Sequence, residues 1–186
     1  HADLTVVSLH LGDTRIGHEG ARGGCAALAD SPLCERSLRG NGLDARAAEP
    51  LCDAIRRSTS LAKLDVSYNR LSTRAAKLLG EVLGENAHTL LNLDLSWNTL
   101  RPAGGAALMM GLCANTCLSH LSLNWNGLQE PAAGAPQPEN AGRFRRALSS
   151  MLELNRALTK LEISHNRIDY PDTLPRPSGM KLVCVD

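Results

Sequence analysis

The sequence predicts an α/β solenoid, a horseshoe segment with a concave parallel β-sheet and convex α-helices. Three observations carry that expectation. The pattern LxxLxLxxNxL recurs as 6-VVSLHLGDTRI-16, 33-LCERSLRGNGL-43, 61-LAKLDVSYNRL-71, 90-LLNLDLSWNTL-100, 118-LSHLSLNWNGL-128 and 158-LTKLEISHNRI-168. The copies begin at residues 6, 33, 61, 90, 118 and 158, so the spacings are 27, 28, 29, 28 and 40. Ala- and Leu-rich segments such as 75-AAKLLGEVLGEN-86 and 104-GGAALMMGLCAN-115 lie between them. A regular repeat of this length is the mark of a stacked architecture rather than one large core.

Each element follows from its residues. The LxL alternation predicts a short strand with one face buried. The pairs Leu51 and Ile55, Leu79 and Leu83, Leu108 and Leu112, and Leu148 and Leu152 are four apart, on one face of a helix. Asn86, Asn115 and Asn155 stand where those helices stop, and asparagine tolerates the left-handed conformation that ends helices. The template asparagines Asn41, Asn69, Asn98, Asn126 and Asn166 follow each strand, where an amide can satisfy turn backbone that no ladder pairs. Thr14 holds that place in the first copy and can do less, so a looser first edge is expected. Strands stack about 4.8 Å apart and helices about 8–10 Å apart, so the stack curves with its sheet inside.

These strands, turns and spacings resemble the leucine-rich repeat family, in its ribonuclease-inhibitor-like class of about 28 residues per unit. The resemblance covers roughly residues 6 to 170. It implies a repeat domain over 1–170 interrupted by an insertion at 131–142, then a Pro-rich tail at 171–186 whose end is an edge strand or a covering segment. Two departures stand out. Arg36 occupies a core position, which predicts an irregular strand or a side chain that reaches water or a carboxylate. The chain begins at His1 and shows no polar cap at either end, so it is expected to be a portion of a longer protein.

Composition excludes several function classes. Lys and Arg number 20 against 19 acidic residues, a net charge of +1, which gives no electrostatic case for nucleic acid or an anionic membrane. The apolar run 106-AALMMGLCA-114 is too short to cross a bilayer. The six cysteines (25, 34, 52, 113, 117 and 184) include no CxxC pair and are expected to be buried free thiols in a reducing compartment. No phosphate-binding glycine loop, GxSxG or HExxH motif occurs, so no catalytic residue, metal or cofactor is assigned, and the chain is expected not to be an enzyme.

In-register strands turn equivalent positions into columns. One column reads Asp13, Gly40, Tyr68, Trp97, Trp125, His165, in a protein with only 3 % aromatic residues. The column between the leucines reads His10, Ser37, Asp65, Asp94, Ser122, Glu162, and a third along the rim reads Arg15, Gly42, Arg70, Thr99, Gly127, Arg167. Both residues between the third leucine and the asparagine are expected on the concave side or its rim. Tyr68, Trp97, Trp125 and His165, with Asp65, Asp94 and Glu162, therefore form the expected partner-binding strip, because exposed aromatic strips mark interfaces. The leading expectation is a non-catalytic scaffold for protein partners in a larger cytoplasmic assembly, with a ciliary, axonemal or cytoskeletal one foremost and the 131–142 loop as a second contact. The alternatives are the ligand-sensing region of a NOD-like receptor, or a regulator of a partner enzyme such as a GTPase.

Overall fold

Leu64, Leu93, Leu121, Leu161 and Leu182 fall in one row across neighbouring strands, each paired with the next. The row is possible because every repeat begins its strand at the same point of the template. The computed structural model describes residues 8–14, 20, 23, 32–85, 89–130, 142–168 and 179–184. The strands are β1 Ser8–His10, β2 Glu35–Ser37, β3 Lys63–Asp65, β4 Asn92–Asp94, β5 His120–Ser122, β6 Lys160–Glu162 and β7 Lys181–Val183. They lie in chain order in one sheet, every neighbouring pair parallel. β2 to β5 are each followed by a helix: α1 Ala48–Arg57, α2 Thr73–Glu85, α3 Arg101–Ala114 and α4 Arg143–Leu154. Residues 131–141 of the 131–142 insertion and 171–178 of the Pro-rich tail lie outside the described residues, while residues 181–183 of the tail form β7.

The core is a leucine layer between sheet and helices. Leu38, Val66, Leu95, Leu123 and Ile163, the third apolar position of five repeats, are essentially fully buried. All eight residues of the predicted helical pairs, from Leu51 and Ile55 to Leu148 and Leu152, are buried against them. Each such side chain contributes about 1.5–3 kcal/mol by leaving water. No repeat could do this alone, since its leucines are covered by the next.

Glycines set how closely α2 and α3 approach. A Cβ at Gly111 would lie 2.0 Å from the Gly80 carbonyl oxygen, and one at Gly80 would lie 2.5 Å from that of Ala107. Inside a helix, Gly→Ala normally stabilises by about 0.5–1 kcal/mol. Here the sign is reversed: Gly111→Ala is expected to destabilise by roughly 1–3 kcal/mol, because backbone must shift to admit the methyl. Urea midpoints check it, and an unchanged or raised midpoint would refute the close contact.

Several expectations are corrected here. Arg36 is 2 % exposed and sits in a regular strand, registered with Leu9 and Leu64, so the strand is not irregular and the side chain does not reach water. α3 and α4 do stop at Asn115 and Asn155, but both residues are extended, with ψ of 131° and 135°, not left-handed. Their amides explain the choice of residue. Asn155 Nδ2 donates to Leu112 O at 2.7 Å, and its Oδ1 accepts from Ala157 N and Leu158 N. Asn115 repeats the arrangement with Leu83 O, Cys117 N and Leu118 N. Asn86 lies outside the described residues. Of the described cysteines, only Cys52 is fully buried; Cys34, Cys113, Cys117 and Cys184 are half-buried, and all are free thiols. Burial pushes the Cys52 thiol up to about 12.

Candidate functional site

The site grows out of the turn after each strand. Asn98 is buried; its Nδ2 donates to Val66 O, Leu95 O and Ser96 O at 3.0–3.2 Å, and its Oδ1 accepts from Leu71 N at 2.9 Å. One amide thus ties two neighbouring turns together. Asn69 accepts from Asn41 N and Leu43 N, and Asn166 accepts from Asn126 N and Leu128 N, while each donates to carbonyls of its own and the preceding repeat. Asn41 donates to Leu11 O at 2.6 Å. In the first turn, Thr14 Oγ1 lies 2.8 Å from Leu11 O and 3.0 Å from Asn41 Oδ1, and one hydroxyl proton serves only one of them. The series has a gap at Asn126, whose buried Oδ1 accepts no hydrogen bond among the described residues. There α3 starts directly after Leu100, and Arg101 turns left-handed, at φ 62°, to place its N–H on Asn126 O.

The residue before each asparagine takes a left-handed backbone. Asp13, Gly40, Tyr68, Trp97, Trp125 and His165 all have φ between 54° and 65°. In the turns of Tyr68, Trp97, Trp125 and His165 the left-handed residue's own side chain points outward while the asparagine after it faces in. For a residue with a Cβ that backbone costs roughly 1–2 kcal/mol; glycine adopts it freely. Only Gly40 is the relaxed choice.

Tyr68, Trp97 and Trp125 are 42 %, 40 % and 43 % exposed. Their rings stack: centroids are 4.9 Å apart for Tyr68 and Trp97, 4.4 Å for Trp97 and Trp125, and 4.4 Å for Trp125 and His165, with interplanar angles of 16–21°. The Arg39 guanidinium closes the Tyr68 end, 3.7 Å from its ring centre. Such contacts contribute about 0.5–1.5 kcal/mol each, which offsets much of the backbone strain. A groove lined by the stack, Asp94 and the residues Ser67, Ser96, Asn124 and Ser164 runs beside the rings. Those serines are buried yet line the groove, and Arg39 and Asn124 at the same position are half-buried, so the first residue between leucine and asparagine borders the concave side and the second is the exposed one.

The concave floor carries two columns. His10, Ser37, Asp65, Asp94, Ser122 and Glu162 are in register, as the template predicts. Beside them stand Glu35, Lys63, Asn92, His120, Lys160 and Lys181, which sequence reasoning missed. The period of two would have found them, since residues two apart share a face. The floor largely neutralises itself. Lys63 pairs with Glu35, Lys160 lies 2.8 Å from Glu162, and Ser37 Oγ donates to Asp65 at 3.0 Å. Among the described residues no group of three His, Cys, Asp or Glu side chains is placed to hold a metal, and no helix is long and apolar enough to cross a membrane.

Known proteins share these features. A family model described as Leucine Rich repeat matches residues 86–109, 114–133 and 154–171. The ribonuclease inhibitor of Sus scrofa is 34 % identical over 127 residues, 67 % of this chain and 28 % of the inhibitor. NACHT, LRR and PYD domains-containing protein 14 of Mus musculus is 29 % identical over 199 aligned positions, covering 97 % of this chain and 19 % of that protein. The chain thus spans well under a third of the length of these relatives. Among solved structures, the tropomodulin C-terminal domain of Caenorhabditis elegans superposes with a TM-score of 0.57 at 20 % identity, over 81 % of this chain and 87 % of that one. Leiomodin-1 actin-binding site 2 does so with a TM-score of 0.58 at 16 % identity, over 77 % and 75 %. At those identities the likeness concerns the fold. With its in-register LxL strands, asparagine turns and covering helices, this chain belongs to the leucine-rich repeat family, and its repeats are of the ribonuclease-inhibitor-like type.

Proposed function

We propose that this chain is a non-catalytic protein-binding solenoid, a scaffold in a larger assembly, whose partner docks along Tyr68, Trp97, Trp125 and His165 with Asp65, Asp94 and Glu162 on the floor beside it. One observation carries the reading. Three large, exposed rings occupy backbone positions where glycine would be relaxed, and their stacking only balances the strain. Stability alone does not account for them, and Tyr and Trp are the favoured anchors of interfaces. The assembly proposed is a structural one in the cytoplasm, ciliary, axonemal or cytoskeletal. A second reading, the sensing repeats of a NACHT-containing receptor, is favoured by relatives of that name that align along 86–97 % of this chain.

The test uses Trp97→Gly with Trp125→Gly, which removes the rings and relaxes their backbone together. A photo-crosslinker at Thr99, on the rim, is compared with one at the exposed Met110 of α3. Partner crosslinking is expected from Thr99 and to fall at least about tenfold in the double variant, the loss of a hot spot. The melting temperature is expected to move by only a few degrees. Crosslinks from Met110 alone, or a capture that survives loss of both rings, would refute the strip. The identity of the captured protein, a cytoskeletal polymer or a receptor's ligand, decides between the two readings.

A further inference from the structure

Once home pairings are subtracted, arginine dominates the charge around the ring stack, with four guanidinium groups against the carboxylates of Asp13 and Asp94. Three exposed arginines on the helical side are paired, Arg46 with Asp44, Arg56 with Glu85 and Arg74 with Glu49, at 2.7–2.8 Å. Arg39, Arg70, Arg101 and Arg167 make no ion pair among the described residues. Arg39 touches the stack, Arg70 and Arg167 stand two residues after the Tyr68 and His165 rings, and Arg101 lies beside Gly127, two residues after Trp125. Arg39 covers the Tyr68 ring and donates to Ser67 Oγ at 3.2 Å. Arg70 and Arg167 follow the asparagines of their own turns and are exposed. Arg101 was not expected there; its left-handed backbone brings Nη1 to 3.5 Å from where a Gly127 Cβ would stand, so it fills the rim position that Gly127 leaves bare. A column that reads Arg70, Thr99, Gly127, Arg167 in sequence therefore gains a third arginine, Arg101, at the Gly127 position.

The rings reinforce that sign. The faces of Tyr68, Trp97 and Trp125 are covered by one another, by Arg39 and by His165, so these three rings offer a partner mainly edges, which carry the positive end of the ring quadrupole. The indole N–H groups of Trp97 and Trp125 and the Tyr68 hydroxyl are engaged by no hydrogen bond among the described residues. Guanidinium, indole and phenol are donors, and the rim has few acceptors to set against them. Closed ring faces also disfavour a single-stranded nucleic acid, whose bases bind by stacking on open ones.

On this basis, and resting on the strip as the docking surface, we propose that the partner presents an extended acidic segment to the rim. Its carboxylates meet Arg39, Arg70, Arg101 and Arg167, and its backbone carbonyls meet the indole N–H groups. Carboxylate pairs with arginine are the stronger, directional kind of hydrogen bond. At roughly 3.3 Å per residue, about four to five extended residues span the four rings. Two carboxylates of the chain itself oppose this charge. Asp94 lines the groove with one oxygen held by Ser96 N–H, and Asp13 lies over Gly40 at the first turns.

The experiment titrates the full chain with fluorescein-labelled peptides of roughly 12 residues, one alternating Glu with Gly and Ser and others carrying Lys or Gln in place of Glu, and with an oligonucleotide of similar length. The Glu peptide is expected to bind and to weaken about tenfold or more when Arg70, Arg101 and Arg167 are all changed to Gln. Asp94→Asn is expected to tighten it, which no purely structural role would do. Equal binding of the Gln or Lys peptide, no effect of the arginine changes, no binding of the Glu peptide, or tighter binding of the oligonucleotide would each overturn the proposal. Arg70→Gln alone, at an exposed position, serves if the triple variant melts early. Crosslinked partner lost on ring removal but kept on arginine removal would leave the strip standing and dismiss the acidic segment; partner kept in both cases would dismiss both.

Discussion

Phe144→Ala is expected to destabilise the protein by about 3–5 kcal/mol, the range for emptying an aromatic site in a packed core. Phe144 is the single phenylalanine of the chain and is 1 % exposed. Its ring edge lies 2.8–2.9 Å from where a Cβ on Gly105 would be, so it fills a notch that α3 leaves for it. It also starts α4, where Gly142 offers no side-chain cap and Glu130 Oε1 accepts the Phe144 N–H at 2.6 Å instead. Removing the ring therefore loosens the joint between two repeats. Urea unfolding followed by circular dichroism and by tryptophan fluorescence checks both size and site. In a stack of nearest-neighbour contacts the loss is expected to unfold the last repeats first, so the two probes should separate. A loss under about 1 kcal/mol, far below the range for such sites, would mean that α3 and α4 close over the gap.

Asn98→Ala is the second large effect, at about 3 kcal/mol, the upper end of the cost of leaving buried polar groups unsatisfied. The substitution strands three carbonyls and one N–H, none of which water can reach without opening the turn. Asn126→Ala provides the control. It removes the same kind of donors to Leu95 O, Leu123 O and Asn124 O, but its Oδ1 accepts nothing among the described residues. Its cost is expected to be lower by about 1 kcal/mol, the net worth of one hydrogen bond. Equal losses for the two variants, read from urea midpoints with unchanged slopes, would show that the accepted hydrogen bond contributes nothing.

Much of this was legible because the template repeats. One alignment of LxxLxLxxNxL places Leu64, Leu93 and Leu121 in a row and Tyr68, Trp97 and Trp125 in another, since parallel strands in register keep sequence columns as spatial ones. What escaped has physical causes. Asn115 and Asn155 look like helix stops because asparagine suits a left-handed end, yet their amides bridge to the preceding repeat, a contact no local pattern reveals. Arg101 lies outside the template, and only its left-handed backbone carries it over Gly127. The self-pairing of Lys63 with Glu35 joins residues 28 apart and depends on a column that the leucine pattern did not bring to notice. Charge can be counted in a sequence, but what remains unpaired depends on neighbours across repeats.

The ring stack also makes the protein its own optical gauge. Two nearly parallel indoles 4.4 Å apart share their excited states, so Trp97 and Trp125 behave in the near ultraviolet as a coupled pair rather than as two dyes. Their separation is set by the strand spacing on the inner arc. An event that flattens or tightens the horseshoe and alters that distance is reported by the ellipticity of the coupled band without a label.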